Sequence, residues 1–231
     1  MLMTAPRALT RLRHLARDRS GLALIEFAYG LPLLLTVGLA GAETANLAIV
    51  TLRINQMAML AADNAARVRI SMDETDINEV MVGMRFSGTG IKFGELGRVI
   101  ISDIEANGQS GSNAGYKITW QRCFGAKNVT SIYGGEDTGK TGPALKFGIT
   151  TSGPAATAPA GTIPVTGGAL IVAEVRYTYT PLVAALFMGN RELRAVQTFP
   201  VRDRATQTLL NSTNMSTASQ RKCDAAHLSA T

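Results

Sequence analysis

The sequence predicts an α+β protein with a single N-terminal transmembrane helix that continues into a long amphipathic helix, followed by a small antiparallel-sheet domain. A mainly apolar run at about residues 22–45 is long enough to cross the hydrocarbon core of a bilayer as a helix. From Asn46 to Arg69, apolar residues recur at spacings of three and four, as on one face of a helix. After Arg98, four strand-like segments are separated by loops rich in glycine.

Residues 1–21 form a basic leader. The leader holds five arginines and one aspartate, which together supply +4 of the net charge of +6. Basic residues beside a first membrane helix remain in the cytoplasm, so the bulk of the chain is expected on the other side of the membrane. The positive charge therefore indicates orientation, and no nucleic acid partner is expected.

A cleaved secretory signal peptide is the competing interpretation of this region, because it also has a basic start and an apolar run. Small residues that a signal peptidase could accept occur at Ala40, Gly41 and Ala42. The apolar run is longer than a signal peptide requires, and cleavage there would cut a helix in the middle of its pattern. The sequence therefore favours a retained membrane anchor.

The start of the apolar run carries a recognisable motif. Gly21 followed by Leu22-Ala-Leu-Ile and then Glu26-Phe27 resembles the processing site of type IV prepilins, which a prepilin peptidase cuts after the glycine. The longer run, with Pro32 and a second glutamate at Glu43, is similar to TadE-like proteins of the tight-adherence (Flp pilus) secretion system. The resemblance covers about residues 20–62.

This resemblance implies a minor pseudopilin in the inner membrane of a bacterium, with a cytoplasmic N-terminus and a periplasmic C-terminal domain. The implied partners are the membrane, other pilin and pseudopilin subunits, the pilus assembly platform and a prepilin peptidase. Gly21 and Leu22 would form the processing site, and Glu26 and Phe27 would take part in subunit assembly. Some TadE-like proteins keep their leader, so cleavage is left open.

Glu26 has a physical interpretation beside the implied one. A carboxylate within a membrane helix costs about 2 to 3 kcal/mol unless something neutralises it, and a new amine at Leu22 of a neighbouring subunit could do so. The alternative is that Glu26 lies close enough to the headgroups to be tolerated without a partner. For Pro32, a simple helix kink is favoured over any dedicated role.

The extracytoplasmic α+β domain is expected over residues 46–202. A short helix is predicted at residues 71–84, and strands are predicted at 98–105, 116–123, 169–180 and 192–200, the first two pairing as a hairpin. Residues 125–168 are rich in glycine and proline and are predicted to form a long surface loop. Residues 203–231 are predicted to form a flexible tail that is held only if Cys223 is bridged.

The two cysteines, Cys123 and Cys223, are predicted to form one disulfide, because an even number of cysteines in an exported domain fits an oxidising compartment. A zinc site is disfavoured, since the only histidines are His14 in the leader and His227 in the tail. No metal or other cofactor is therefore expected.

Residues 134–141 match the nucleotide-binding pattern G-x-x-x-x-G-K-[ST]. The pattern requires a preceding strand and a following helix, yet Gly142 and Pro143 follow it and two acids lie within it. No nucleotide partner is expected. Without a histidine in the expected domain, the sequence favours a structural protein over an enzyme. The alternative is a membrane-tethered enzyme or ligand-binding domain that uses the helix only as an anchor.

Overall fold

The computed structural model describes residues 21–145, 148–150, 153–155, 168–183, 189–202 and 204–230. Nearly all of the basic leader lies outside this part of the chain. The helices are α1 (Leu22–Arg67), α2 (Glu74–Gly88) and α3 (Phe93–Leu96). The strands are β1 (Gly97–Ala106), β2 (Tyr116–Phe124), β3 (Gly148–Thr150), β4 (Gly153–Ala155), β5 (Ala169–Tyr179) and β6 (Arg191–Pro200). The predicted α+β fold class is confirmed.

The main sheet has four antiparallel strands in the order β2-β1-β5-β6. The predicted β1–β2 hairpin is present, with a shift of register between Asp103 and Ile104. In the middle of the sheet, Val99 of β1 lies opposite Val175 of β5, which lies opposite Ala195 of β6. β3 and β4 form a separate two-stranded hairpin.

The second half of α1 packs on one face of this sheet, mainly against β5 and β6. Its buried apolar residues follow the predicted spacing of three and four: Val50, Ile54, Met57, Ala58, Ala61, Ala62, Ala65 and Ala66. Five of these eight are alanines, whose small side chains let the helix approach the sheet closely. Alternate residues of β1 and β5 complete this core: Val99, Ile101, Ile171, Ala173, Val175 and Tyr177.

The opposite face of the sheet carries a second, smaller apolar cluster. Residues 125–145 cover it and contribute the buried side chains of Tyr133 and Leu145. The strands contribute Ile104, Ile118, Leu170, Val172 and Val196. The prediction that residues 125–168 form only a surface loop therefore needs correction for the part up to residue 145, because a few apolar side chains suffice to close a small sheet face.

Residues 204–230 also differ from the loose tail that the polar composition predicts. Besides the disulfide at Cys223, the segment is held by hydrogen bonds to the backbone and side chains of the domain. The bonds are Leu210 N–H to Met72 O at 2.8 Å, Cys123 N–H to Arg221 O at 2.6 Å, and Trp120 Nε1–H to Gln207 O at 3.2 Å. Polar residues fix this segment through hydrogen bonds, which hydrophobic periodicity does not reveal.

Candidate functional site

Gly21 and Leu22, the predicted processing site, lie at the start of α1. Gly21 is the residue that precedes the helix, and its carbonyl oxygen accepts a hydrogen bond from Ile25 N–H at 3.1 Å. The Leu22 side chain is exposed. A cut after Gly21 would therefore place a new amine at the first residue of the helix.

Glu26 and Phe27, the predicted assembly residues, are both exposed on the first turns of α1. Glu26 lies one turn after Leu22, which corresponds to a rise of about 6 Å along the helix axis. Within the part of the chain that the structure describes, no hydrogen bond or ion pair involves the Glu26 side chain. A partner for this carboxylate would therefore have to come from outside the described chain.

The whole segment around Glu26, residues 22–42, packs against nothing in the described structure. All its side chains are exposed, including the large apolar ones: Leu22, Leu24, Ile25, Phe27, Tyr29, Leu31, Leu33, Leu34, Leu35, Val37 and Leu39. The segment rises about 30 Å, which matches the thickness of the hydrocarbon core. Among the described helices, α1 alone is long and apolar enough to cross a membrane, as an anchor or a signal sequence.

Pro32 lies inside α1, which is helical without interruption from Leu22 to Arg67. Proline has no N–H to donate to the carbonyl of Ala28, one turn earlier. The bend that this would cause stays a prediction.

Glu43 is the first buried residue of α1 and marks the point where the helix meets the domain. Its carboxylate accepts a short hydrogen bond from the Tyr179 hydroxyl and a 2.9 Å bond from the Val183 N–H. Asn46 donates to the same Tyr179 hydroxyl at 2.8 Å. Burial, together with the hydrogen bond to Glu43, raises the pKa of Tyr179. This contact joins α1 to the end of β5.

Sequence reasoning missed this role of Glu43, although a signal for it exists. Glu43 precedes Leu47, Val50 and Ile54 at the spacing of four, three and four that defines the buried face of the helix. An acid at that spacing lies on the face that packs against the domain. It therefore requires a hydrogen-bonding partner within the domain.

A second set of apolar side chains on α1 beyond residue 43 faces away from the sheet. Ile49, Leu52, Met59 and Leu60 are all exposed. Ile49 and Leu52 are three residues apart, and Leu52 and Met59 are seven apart, so the three lie along one side of the helix. The exposed apolar surface of residues 22–42 therefore extends onto the second half of α1.

The predicted disulfide partners, Cys123 and Cys223, are bonded to each other in the structure, with Cα atoms 5.0 Å apart. Cys123 lies in β2, and Cys223 lies in the segment 204–230. The bond closes a loop with a sequence separation of 100 residues. It ties the last part of the chain to the edge of the sheet.

A polar cavity of about 370 Å³ lies between α2 and the segment 204–230. Its lining includes Asn78 and His227, so the domain carries a histidine that the sequence placed outside it. The His227 ring contacts the Asp224 carboxylate through Nδ1 and the Thr217 carbonyl oxygen through Nε2, the latter at 2.9 Å. Asp224 raises the pKa of His227. Because both ring nitrogens are engaged, His227 is not poised to activate a serine.

Residues 134–141, which match the nucleotide-binding pattern, form consecutive turns with no helix after Lys140. The Lys140 amine donates to Asp137 Oδ1 at 2.8 Å. The strand, loop and helix geometry that cradles phosphate is not present in this segment. Elsewhere among the described residues, no group of three or more His, Cys, Asp or Glu side chains could hold a metal ion.

Two groups of buried charges link parts of the domain. Arg122 donates to Glu74, with Nε 3.0 Å from Oε2, and to Glu136 through Nη1 at 2.8 Å, which ties β2 to the start of α2. Arg204 and Asp103 are both fully buried, 3.5 Å apart. Burial and the nearby Glu105 raise the pKa of Asp103 to about 8, although Arg204 opposes the shift. Each of the two groups joins separate elements of the fold.

Arg204 also closes the end of α1. It donates through Nη2 to the carbonyl oxygen of Ala65 at 2.5 Å and through Nε to that of Val68 at 3.3 Å. The last carbonyls of a helix have no partner within the helix, so a basic side chain there stabilises them. This contact and the Asp103 pair are structural, and neither opens into the cavity beside His227.

Comparison with known proteins shows no relative: no family model matches the sequence, and no curated protein or solved structure is significantly similar to it. The function is therefore inferred from the residues of this chain.

Proposed function

We propose that this protein is a TadE-like minor pseudopilin, a membrane-anchored structural or assembly component of a tight-adherence type IV pilus or a related secretion system. In this proposal α1 crosses the bacterial inner membrane once, with its N-terminus in the cytoplasm. The sheet domain lies in the periplasm. The helix packs against other pilin or pseudopilin subunits, and the leader is a substrate for a prepilin peptidase.

The observation that carries the proposal is that the side chains of residues 22–42 are exposed on a helix whose other half is packed on the domain. The domain buries its core without any side chain from this segment. An apolar helical surface of this size is stable only when lipid or other helices cover it. The first half of α1 is therefore a surface for membrane and subunits.

Glu26 supports subunit packing over simple anchoring. A lipid anchor gains nothing from a carboxylate, which raises the cost of insertion. The amine of a neighbouring chain that begins at Leu22 can form a charge-assisted hydrogen bond with that carboxylate and offset part of the cost. The exposed Ile49, Leu52 and Met59 extend the same helical surface beyond the membrane, where another subunit can cover them.

The test has two parts in the native host. Mass spectrometry of the purified protein should find an N-terminus at Leu22, and Gly21→Phe should block this cut because the peptidase requires a small residue there. An intact leader in a host with an active prepilin peptidase would demote the protein to an anchored domain.

The second part measures assembly with Glu26→Gln. This variant should insert normally, yet recover severalfold less of its partner subunits after crosslinking. Glu43→Gln is the matched control, since it makes the same chemical change on the same helix where the partners, Tyr179 and Val183, belong to the same chain. Equal recovery for Glu26→Gln and the unaltered protein would reject the proposed role of Glu26.

A further inference from the structure

The connection between β5 and β6 exposes apolar side chains at an unusual place. Leu182 is 70% exposed and Val183 is 44% exposed, directly after β5 ends at Tyr179. The sequence from Pro181 to Gly189 contains no charged residue. We call the described part of this connection, residues 181–183, the β5–β6 tip.

A direct hydrogen bond shows which residue of α1 lies beside the β5–β6 tip. The Val183 N–H donates to Glu43 at 2.9 Å, and Glu43 follows immediately after the exposed segment 22–42. Because that segment rises about as far as the hydrocarbon core is thick, Glu43 lies at the outer boundary of the core when the segment spans the membrane. The tip therefore lies at the same boundary.

The chemistry around the tip suits the lipid interface. Tyr179 is buried, and its hydroxyl donates to Glu43, which holds the base of the tip next to α1. Arg191 lies opposite Tyr179 in the β5–β6 register and is exposed, in position to meet an anionic headgroup. Exposed Leu182 and Val183 add apolar surface on the same end of the domain.

We propose that the β5–β6 tip inserts into the interfacial region of the outer leaflet, as a second contact between the domain and the phospholipid bilayer. The inference rests on the proposed membrane span of α1. The Glu43 contact places the tip next to the end of the apolar segment 22–42. With two points of attachment, the sheet is held in one orientation relative to the membrane.

The experiment uses the full chain in vesicles of phosphatidylethanolamine and phosphatidylglycerol. Both native cysteines are in the disulfide, so an introduced cysteine supplies one free thiol for a fluorescent label. Leu182→Cys reports on the tip, Leu34→Cys on the span, and Leu210→Cys on a distant surface. Leu210 is a matched control because it is an exposed leucine bridged to Asp73, which follows the end of α1. That end of the helix lies about 36 Å along the axis from Glu43.

Nitroxide lipids should quench the label at position 182 at least twofold more strongly than the label at position 210. A nitroxide near the headgroup should be more effective at 182 than one near the end of the acyl chain, and the reverse should hold at position 34. Equal quenching at 182 and 210, with position 34 quenched, would overturn the tip contact alone. Loss of quenching at position 34 would overturn the span, and the tip contact with it.

A protein partner at the tip gives a different result. If a second copy covers Leu182, the label becomes shielded as the protein-to-lipid ratio rises, and lipid nitroxides quench it no more than the label at position 210. That outcome would also overturn the proposal. Quenching at position 182 that stays constant as the protein is diluted into excess lipid is the result expected for a lipid contact.

Discussion

The two halves of α1 are one continuous helix in two different surroundings. From residue 22 to 42 the helix is mainly apolar and packs against nothing in the described chain, whereas from residue 43 to 67 it carries a buried stripe on one face. A helix that is apolar all round suits a lipid environment, and an amphipathic one suits the surface of a domain. The boundary between the two halves is marked by this change in the pattern of apolar residues. The helix itself continues across it without a break.

The two glutamates of α1 show the same difference between the halves at the level of single residues. Glu43 is buried, and its carboxylate is hydrogen bonded to Tyr179 and Val183 of the same chain. Glu26 is exposed in an apolar segment, with no side-chain partner in the described structure. A carboxylate on an apolar helical face requires a hydrogen-bonding or charged partner. After the boundary at residue 43 the domain of the same chain provides that partner, whereas before it the described chain provides none.

The largest expected effect comes from removing the disulfide, which stabilises the domain half without touching α1. The double substitution Cys123→Ser and Cys223→Ser should lower the free energy of unfolding of the domain by about 4 to 5 kcal/mol, because the closed loop is long. Urea unfolding in detergent micelles measures this through Trp120, the only tryptophan, which is buried in the domain. The helical signal of residues 22–42 should persist after Trp120 becomes exposed.

A single transition that removes both signals together would contradict this separation of the two halves. The corresponding control is the unaltered protein with its disulfide chemically reduced, which should match the double variant.

Two substitutions to alanine, one in each half of α1, test the difference between the halves. Ile54→Ala should lower the stability of the domain by about 2 to 5 kcal/mol, because Ile54 is 0% exposed in the core. Leu34→Ala, at a position 71% exposed, should change it by less than about 0.5 kcal/mol. Trp120 fluorescence reports both. A comparable loss for the two variants would mean that residues 22–42 contribute to the stability of the domain.

The boundary contact is tested by a double-mutant cycle on Glu43 and Tyr179. The variants Glu43→Gln, Tyr179→Phe and their combination should show a coupling energy of about 1 to 3 kcal/mol, as expected for a hydrogen bond to a charged group. The urea unfolding of all four proteins supplies the values. A coupling energy near zero would show that the hydroxyl and the carboxylate do not act on each other in solution.

The smallest expected effect concerns Asp73, which caps α2 in the domain half. Hydrogen bonds from the backbone N–H groups of Ser212 and Thr75 lower the pKa of Asp73 to about 2. The folded carboxylate therefore binds a proton less readily than the unfolded one, so its stabilisation is present above about pH 4 and is lost as the pH falls through about 2. Asp73→Ala should cost about 1 kcal/mol at pH 7.

The difference in stability between Asp73→Ala and the unaltered protein should shrink as the pH is lowered from 4 to 2. Asp73→Asn is the control, because it keeps a capping oxygen without a titrating charge. A difference that stays constant across this range would show that the cap does not depend on the ionised carboxylate.

Much of the fold was predictable because its signals are local. The alternation at residues 169–180 predicted β5, observed at Ala169–Tyr179, and the segment 98–105 predicted β1, observed at Gly97–Ala106. The pairing of β1 with β5 joins residues more than 60 apart in sequence, and no local pattern specifies it. Sequence periodicity identifies a helix or a strand, whereas the packing of the whole domain determines which strands pair with each other.

The candidate site divides in the same way. Glu26 was singled out because a carboxylate in an apolar run is conspicuous in sequence, and its role in assembly stays a prediction. The Glu43 contact was missed, because Tyr179 is 136 positions away in sequence and the alternating pattern of its strand does not depend on it. The packing of residues 204–230 was missed because hydrogen bonds such as that from Trp120 to Gln207 leave no hydrophobic signature.

The contacts of residues 204–223 also set an order of events during biosynthesis. Arg204 closes the end of α1, Leu210 pairs with Met72, and Cys223 completes the disulfide with β2, so elements made early depend on residues made late. The domain cannot acquire its final structure while this segment is still in the ribosome or the translocation channel. In the proposed topology, the chain would therefore cross the membrane unfolded, with the anchor already in the bilayer when the domain assembles beside it.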